Sequence, residues 1–334
     1  MKAEITEHIS TELIDLLAET TLGTNGAKYR HLDIRSRILK ADNPISLSLN
    51  RNDCIIANIT FCKRDFAFYL RYFIFDKRFQ SGGKTKSKTK NNSFIKKEIE
   101  GLFQSLEAEH LTSEKLCYAY IDPKNERSKW MSETFGFEKK ATLVTQAFSR
   151  FYPKKSSELI EIKDFEEIKT IVRSNYANHQ FYFEYHSSQA PFLALKNSKG
   201  EIEALGKFTV VEWEIGRLPG KFGGITTKLL PYLPFLNRII NPKLHRFLVP
   251  EIVCNPSTDP YKIELLFESA LAHHNVHSLL WWMDENDSIY TNCKGKINWG
   301  FLNKLLGVSP VDVMVRGKID TFQKPIFVTG FDMV

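Results

Sequence analysis

The chain lacks most of the features that commit a sequence early to one class. Its five cysteines (Cys54, Cys62, Cys117, Cys254 and Cys293) are scattered, odd in number and free of any C-x-x-C pair. Neither a disulfide framework nor a zinc site is signalled, and most of them read as small core residues. The histidines are no better placed for a metal: His31 and His110 stand alone, and in the cluster His273, His274 and His277 the adjacent pair would point apart on a helix. No metal is expected. No apolar run reaches the roughly 18 residues that a membrane-spanning helix needs, and MKAEITEHIS has no secretory apolar core. The cytoplasm is the expected location, with no membrane partner. Acidic residues are missing from Lys77 to Lys97, where eight basic ones fall, and no aromatic residue interrupts Lys84 to Lys90 to stack on bases. Plain nucleic-acid binding is therefore disfavoured, while the concentrated charge favours a polyanionic ligand, a nucleotide cofactor above all.

What is present describes an ordinary globular protein. With 334 residues, 43% of them hydrophobic and 25% charged, the chain can fill two cores. Ser10 or Thr11 can cap a helix bearing Leu13, Ile14, Leu16 and Leu17. Two strand-like runs, Ile45 to Asn50 and Cys54 to Cys62, are joined by the turn-like NRND. A third run, Ala67 to Phe75, completes an antiparallel meander. A helix starts near Ser93, because Phe94, Ile95, Ile99, Leu102, Phe103 and Leu106 share one face. It crosses over to the strand Leu116 to Asp122, which should lie parallel to and beside Phe68 to Phe75. A short helix then spans Glu126 to Thr134, Gly136 suits the left-handed position after it, and Ala141 to Phe151 is another strand.

A strand, a glycine-containing cationic loop and a helix N-terminus in that order gather free N–H groups into an anion site suited to phosphate. These residues resemble the GNAT acetyltransferases. Gln80-Ser81-Gly82-Gly83 supplies the first four positions of that family's Q/R-x-x-G-x-G/A loop, with Thr85 at the last. Asn125, Ser128, Met131, Gly136 and Phe137 fall in register with the N-x-x-[AS]-x-x-[LM]-x-x-x-x-G-[FY] pattern that follows the family's fifth strand.

The resemblance implies an N-acyltransferase that moves an acyl group, acetyl in the first instance, from acyl-CoA to an amine by direct attack. Backbone groups near Phe73, Phe75 and Asp76 would hold the acyl carbonyl and pantetheine. Gln80, Ser81, Gly82 and Gly83, with Lys84 and Lys86, would hold the pyrophosphate, and Asn125 and Ser128 would reach the cofactor from the next helix. At position 132, where many members place a sulfur-protonating tyrosine, this chain has Ser132. A serine is too weak an acid to act unaided, so Tyr120 and Tyr118 join it as candidates. Asp122 and Glu133 are the carboxylates placed for a base, beside a purely structural reading of both.

After the polar linker Tyr152 to Ser157 the same order of elements recurs: a strand Leu159 to Ile162, a helix opened by Asp164, a hairpin across NSKGE, a Pro- and Gly-rich segment Leu218 to Pro242, a strand Leu248 to Cys254, a helix Pro260 to His273, and a strand His277 to Met283, in which Trp281 and Trp282 read as core. A helix near Trp299 to Leu306 and a strand Val311 to Val315 close it. The expected fold is α/β of α+β type: two tandem GNAT-like domains, 1–152 and 153–334. Each is a mostly antiparallel sheet with a splayed parallel pair at its centre and helices outside. The second, with NPSTDP for its loop, should be degenerate and the protein a monomer. Two alternatives stay open: an aminoacyl-tRNA-dependent transferase, which also pairs two such domains, and a non-catalytic acyl-CoA-binding or interaction module.

Overall fold

The computed structural model describes residues 2–24, 26–41, 43–52, 54–75, 94–108, 116–184, 191–317 and 322–333. In the first half the strands are β1 (Lys2–Thr6), β2 (Lys28–His31), β3 (Pro44–Arg51), β4 (Cys54–Arg64), β5 (Ala67–Phe75), β6 (Leu116–Ile121) and β7 (Glu138–Ser149). In the second half they are β8 (Leu159–Ile162), β9 (Phe192–Lys196), β10 (Ile202–Arg217), β11 (His245–Cys254), β12 (Ser278–Asp284) and β13 (Ser309–Arg316). Helices α1 (Thr11–Glu19), α2 (Ile34–Ile38), α3 (Phe94–Ala108) and α4 (Glu126–Thr134) belong to the first half. Helices α5 (Lys169–Tyr176), α6 (Gly223–Leu229), α7 (Pro234–Ile239), α8 (Pro260–His273), α9 (Ser288–Cys293), α10 (Phe301–Leu306) and α11 (Gly330–Met333) belong to the second.

All the described strands join one sheet, in the order β1-β3-β4-β5-β6-β13-β7-β12-β11-β10-β9-β8, with β2 added beside β10. Among them only β5–β6 and β11–β12 are parallel neighbours. Each parallel pair is joined through a helix, α3 or α8, as a parallel connection requires. The meander β3-β4-β5, the crossover through α3 and the parallel partner β6 stand where the apolar pattern places them. The expected stripe on α3 is real where it is described: Ile99, Leu102 and Phe103 are buried against Phe68, Cys117, Phe135 and Phe137. Along β6 the faces alternate, as a strand's must. Cys117 and Ala119 pack under α3, while Leu116 and Tyr118 pack on the opposite face.

Two placements differ from the expectation. The strand expected to close the second half, β13, enters the sheet between β6 and β7, pairing antiparallel with both. Its sequence suits a central position: Val311, Val313 and Val315 are buried on one face with Leu143, and Met314 on the other with Phe135 and Phe137. β7 in turn pairs with β12 across the middle of the sheet. The other is β2, in a stretch that reads as merely polar. It pairs with the far end of β10, His31 opposite Trp213 and Tyr29 opposite Ile215.

Candidate active site

The two central parallel strands pair over only three residues, Ala67 to Tyr69 against Leu116 to Tyr118, and then part. A β-bulge helps β5 to turn away: Leu70 faces Phe61 and Tyr72 faces Thr60, so Arg71 has no opposite number on β4. Between the parted ends lies a cavity of about 300 Å³. Its walls come from both faces of the sheet. On the α3 side they are Phe73, Phe103, Met131 and Phe137, with Asn125, Ser128 and Ser132 from α4. On the other they are Tyr69, Tyr72, Tyr120 and Trp282, with His31 and Tyr29 brought in by β2.

Local chemistry fixes α4 at this mouth. Asp122 ends β6, its carboxylate accepting hydrogen bonds from the Lys124 N–H (2.8 Å) and from the Thr24 hydroxyl. Asn125 caps the helix, its Oδ1 accepting from the Ser128 N–H at 3.1 Å, and Gly136 takes the left-handed turn at φ 75°. The Ser132 hydroxyl donates to the Lys129 carbonyl at 2.8 Å, which binds it to its own helix. Asp122 lines the cavity, whereas Glu133 is exposed.

On the far face the lining rests on a buried ionic core. Arg64 and Asp332 form a two-pronged pair at 2.5 and 3.0 Å, each side chain only 1% exposed. The Tyr69 hydroxyl donates to the Asp332 carbonyl at 3.0 Å, and the Tyr118 hydroxyl accepts from Arg64 Nη1. Tyr118 is thereby committed to the core, while Tyr120 lines the cavity and its hydroxyl, buried, meets no partner among the described residues. The Tyr120 ring packs edge-on to Trp282 at 5.7 Å. Burial holds the hydroxyls of Tyr69, Tyr118 and Tyr120 above the usual phenol range, so all keep their protons.

His31 is the residue that sequence reasoning passed over. Its ring lies 5.4 Å from that of Trp213, which also stacks on Tyr29 at 4.3 Å. Nδ1 is buried without a partner among the described residues. Burial, helped by the cations of Arg37 and Arg71, lowers its pKa to about 3, so the imidazole is neutral. Trp282, read as core, is half right: Trp281 and Trp282 alternate, and only Trp281 enters the interior packed by α8. That alternation was a usable signal, but nothing local marks Asp332 or the polar run around His31.

Of the residues singled out from the sequence, Phe73, Asn125, Ser128, Ser132 and Tyr120 converge on the cavity. Phe75 ends β5, its side chain lying outside the described residues. Asp76, Gln80, Ser81, Gly82, Gly83, Lys84 and Lys86 lie wholly outside them.

Compared with known proteins, the sequence matches no family model and no curated protein significantly. The fold does resemble those of solved structures. Saccharomyces cerevisiae N-myristoyltransferase with bound myristoyl-CoA superposes with a TM-score of 0.57 at 8% identity, over 98% of this chain and 89% of that one. A tandem GNAT protein from the clavulanic acid biosynthesis pathway superposes at 0.55 and 9% identity, over 95% of this chain and 98% of that one. The likeness is one of architecture, and the architecture is the GNAT fold in tandem.

Proposed function

We propose that the protein is an N-acyltransferase that takes acyl-CoA, acetyl-CoA in the first instance, into the gap between β5 and β6 and passes the acyl group to an amine. The observation that carries this reading is a cavity opening where a parallel pair stops pairing, lined from both faces of the sheet. Donor and acceptor can then meet edge to edge from opposite sides, the geometry that direct transfer needs. Fold neighbours that bind myristoyl-CoA or are GNAT proteins support acyl-CoA as donor. The volume, about 300 Å³, stands at the small end of the roughly 300–1,000 Å³ usual for ligand pockets, which supports a short acyl group.

In this reading Asn125 and Ser128 contact the donor from α4, and Gln80, Ser81, Gly82, Gly83 and Lys84 receive its pyrophosphate. Peptide N–H groups of β5 beyond Tyr69 face the carbonyl that becomes an oxyanion on attack. The new N–C bond forms as the C–S bond breaks; the proton that the amine loses passes to solvent at the cavity mouth, and solvent restores the proton that is given to the thiolate. Tyr120, protonated and without a partner among the described residues, is the donor to sulfur. Neutral His31 can accept a hydrogen bond from the acceptor amine and orient it. Units 1–152 and 153–334 have exchanged a strand, only the first keeps the cofactor site, and one chain suffices. A second reading, a non-catalytic acyl-CoA-binding module, is favoured by the Ser132 hydroxyl being bonded to its own helix.

Calorimetric titration of acetyl-CoA and CoA tests the donor site. Micromolar binding that is lost in Ser128→Trp and in the double variant Gly82→Val, Gly83→Val is expected; no binding by the folded wild type sinks the proposal. With an amine in hand, Tyr120→Phe should cut turnover roughly a hundredfold while sparing donor affinity. Binding without turnover of any amine favours the module.

A further inference from the structure

The segment that leaves the end of β10 and returns to β11 has two apolar sides, and only one is used. Leu230, Ile239 and Ile240 are buried against Ala147 and Leu302. The segment is anchored: the Ile215 N–H donates to the Pro242 carbonyl at 2.8 Å, and the Leu218 N–H to the Thr227 hydroxyl at 2.9 Å. Its other side points outward, with Phe222 at 73%, Ile225 at 61%, Leu229 at 52%, Tyr232 at 81%, Leu233 at 46% and Phe235 at 61% exposure. Pro231 to Phe235 is a run of exposed residues with no charge among them. Single exposed apolar residues need no explanation, but a cluster on one anchored segment marks an interaction surface.

The charge pattern selects the partner. Between Glu214 and Glu251 the sequence has no Asp or Glu, while Lys221, Lys228, Arg238 and Lys243 are exposed within or beside the apolar cluster. An interface between protein copies would leave these cations facing one another. An anionic bilayer surface accepts both components at once, phosphates meeting the cations while aromatic and aliphatic tips enter the headgroup boundary. Tyr and Phe at the apex suit that boundary.

We infer that residues 218–243 dock the protein on anionic lipid surfaces as a peripheral, reversible contact. Among the described residues no helix is long and apolar enough to cross a membrane, and a surface contact needs none. The segment begins where β10 pairs with β2, the strand that carries Tyr29 and His31 to the cavity, so docking also ties the sheet edge behind the site to the membrane. The inference rests on the surface alone and stands whatever the cavity binds.

Flotation of the full chain with phosphatidylglycerol vesicles, against phosphatidylcholine vesicles of the same size, tests it. Salt-sensitive binding to the anionic vesicles is expected. The triple variant Phe222→Ser, Tyr232→Ser, Phe235→Ser should lose at least about tenfold in partitioning, and so should Lys221→Glu, Lys228→Glu, Arg238→Glu. Both sets are exposed, so thermal unfolding should match the wild type. No binding to anionic vesicles at low salt overturns the inference. So does unchanged binding by both variants, or light scattering showing a wild-type dimer that the serine variant dissolves, which would make the surface a contact between copies.

Discussion

The two parallel strand pairs start alike and end differently. In each, the leading strand carries a bulge just where pairing stops: the antiparallel register skips Arg71 on β5 and Glu251 on β11. Beyond the first bulge lies the cavity. Beyond the second the gap is sealed by the protein itself. The Tyr176 hydroxyl donates to the Val253 carbonyl at 2.7 Å and accepts from its N–H at 3.0 Å. Phe327 packs edge-on against Tyr176 at 4.8 Å, and the Ile326 N–H donates to Asp284 at 3.0 Å. The N-terminus of α8, where an anion could sit, is taken by Asp259, whose carboxylate accepts from the Tyr261 N–H at 3.0 Å. Strands that part leave peptide groups needing partners. A tyrosine and a returning chain can supply them, or the groups can remain available to a ligand.

The largest expected effect lies in the buried pair beneath the open gap. Arg64→Leu or Asp332→Leu alone strands a charge that is 1% exposed and should cost about 3–5 kcal/mol in urea unfolding, whereas the double variant should lose far less. A loss in the double variant equal to the sum of the two single losses would show that the pair is not coupled.

The pH response comes next. The folded pKa of His31 lies near 3 against an ordinary 6.5, so between these values the unfolded chain binds the proton more readily. Its contribution is therefore complete above pH 6.5 and is lost as pH falls towards 3. His245, lowered by burial to about 4, acts in the same direction over a narrower window. Denaturation midpoints of His31→Phe should fall less steeply than those of the wild type across this range; parallel curves would place the acid loss elsewhere.

Tyr176→Phe tests the seal. It leaves the Val253 groups unanswered and should cost about 1–3 kcal/mol, with the acetyl-CoA affinity proposed for the first gap unchanged; a changed affinity would mean that the two gaps communicate. Smallest is Asp259→Ala, which removes a helix cap and should cost about 1 kcal/mol, measured by the same denaturation.

Legibility in the sequence followed the range of the interactions. The Phe68 to Phe75 run, the stripe on α3 and the Asn125 to Phe137 spacing are local patterns, and each marks an element that is present. One wall of the cavity could thus be named residue by residue. Of the other wall only Tyr120 was named for the site, because β2 is four polar-looking residues whose strand character comes from long-range pairing with β10 and a bridge from Tyr29 to Leu22.

The sequence by itself determined which segments become strands and helices along β3 to α4, the meander, the parallel crossover and the capped helix at its mouth. Those choices rest on apolar period, capping and turn residues, all set within a few positions. Only the tertiary structure decided that β13 crosses into the first half, that His31, Trp282 and Asp332 meet around Tyr120, and that one gap is open while the other is closed. Each joins residues far apart in the chain, and the gain from burying them together is written in no single stretch of it.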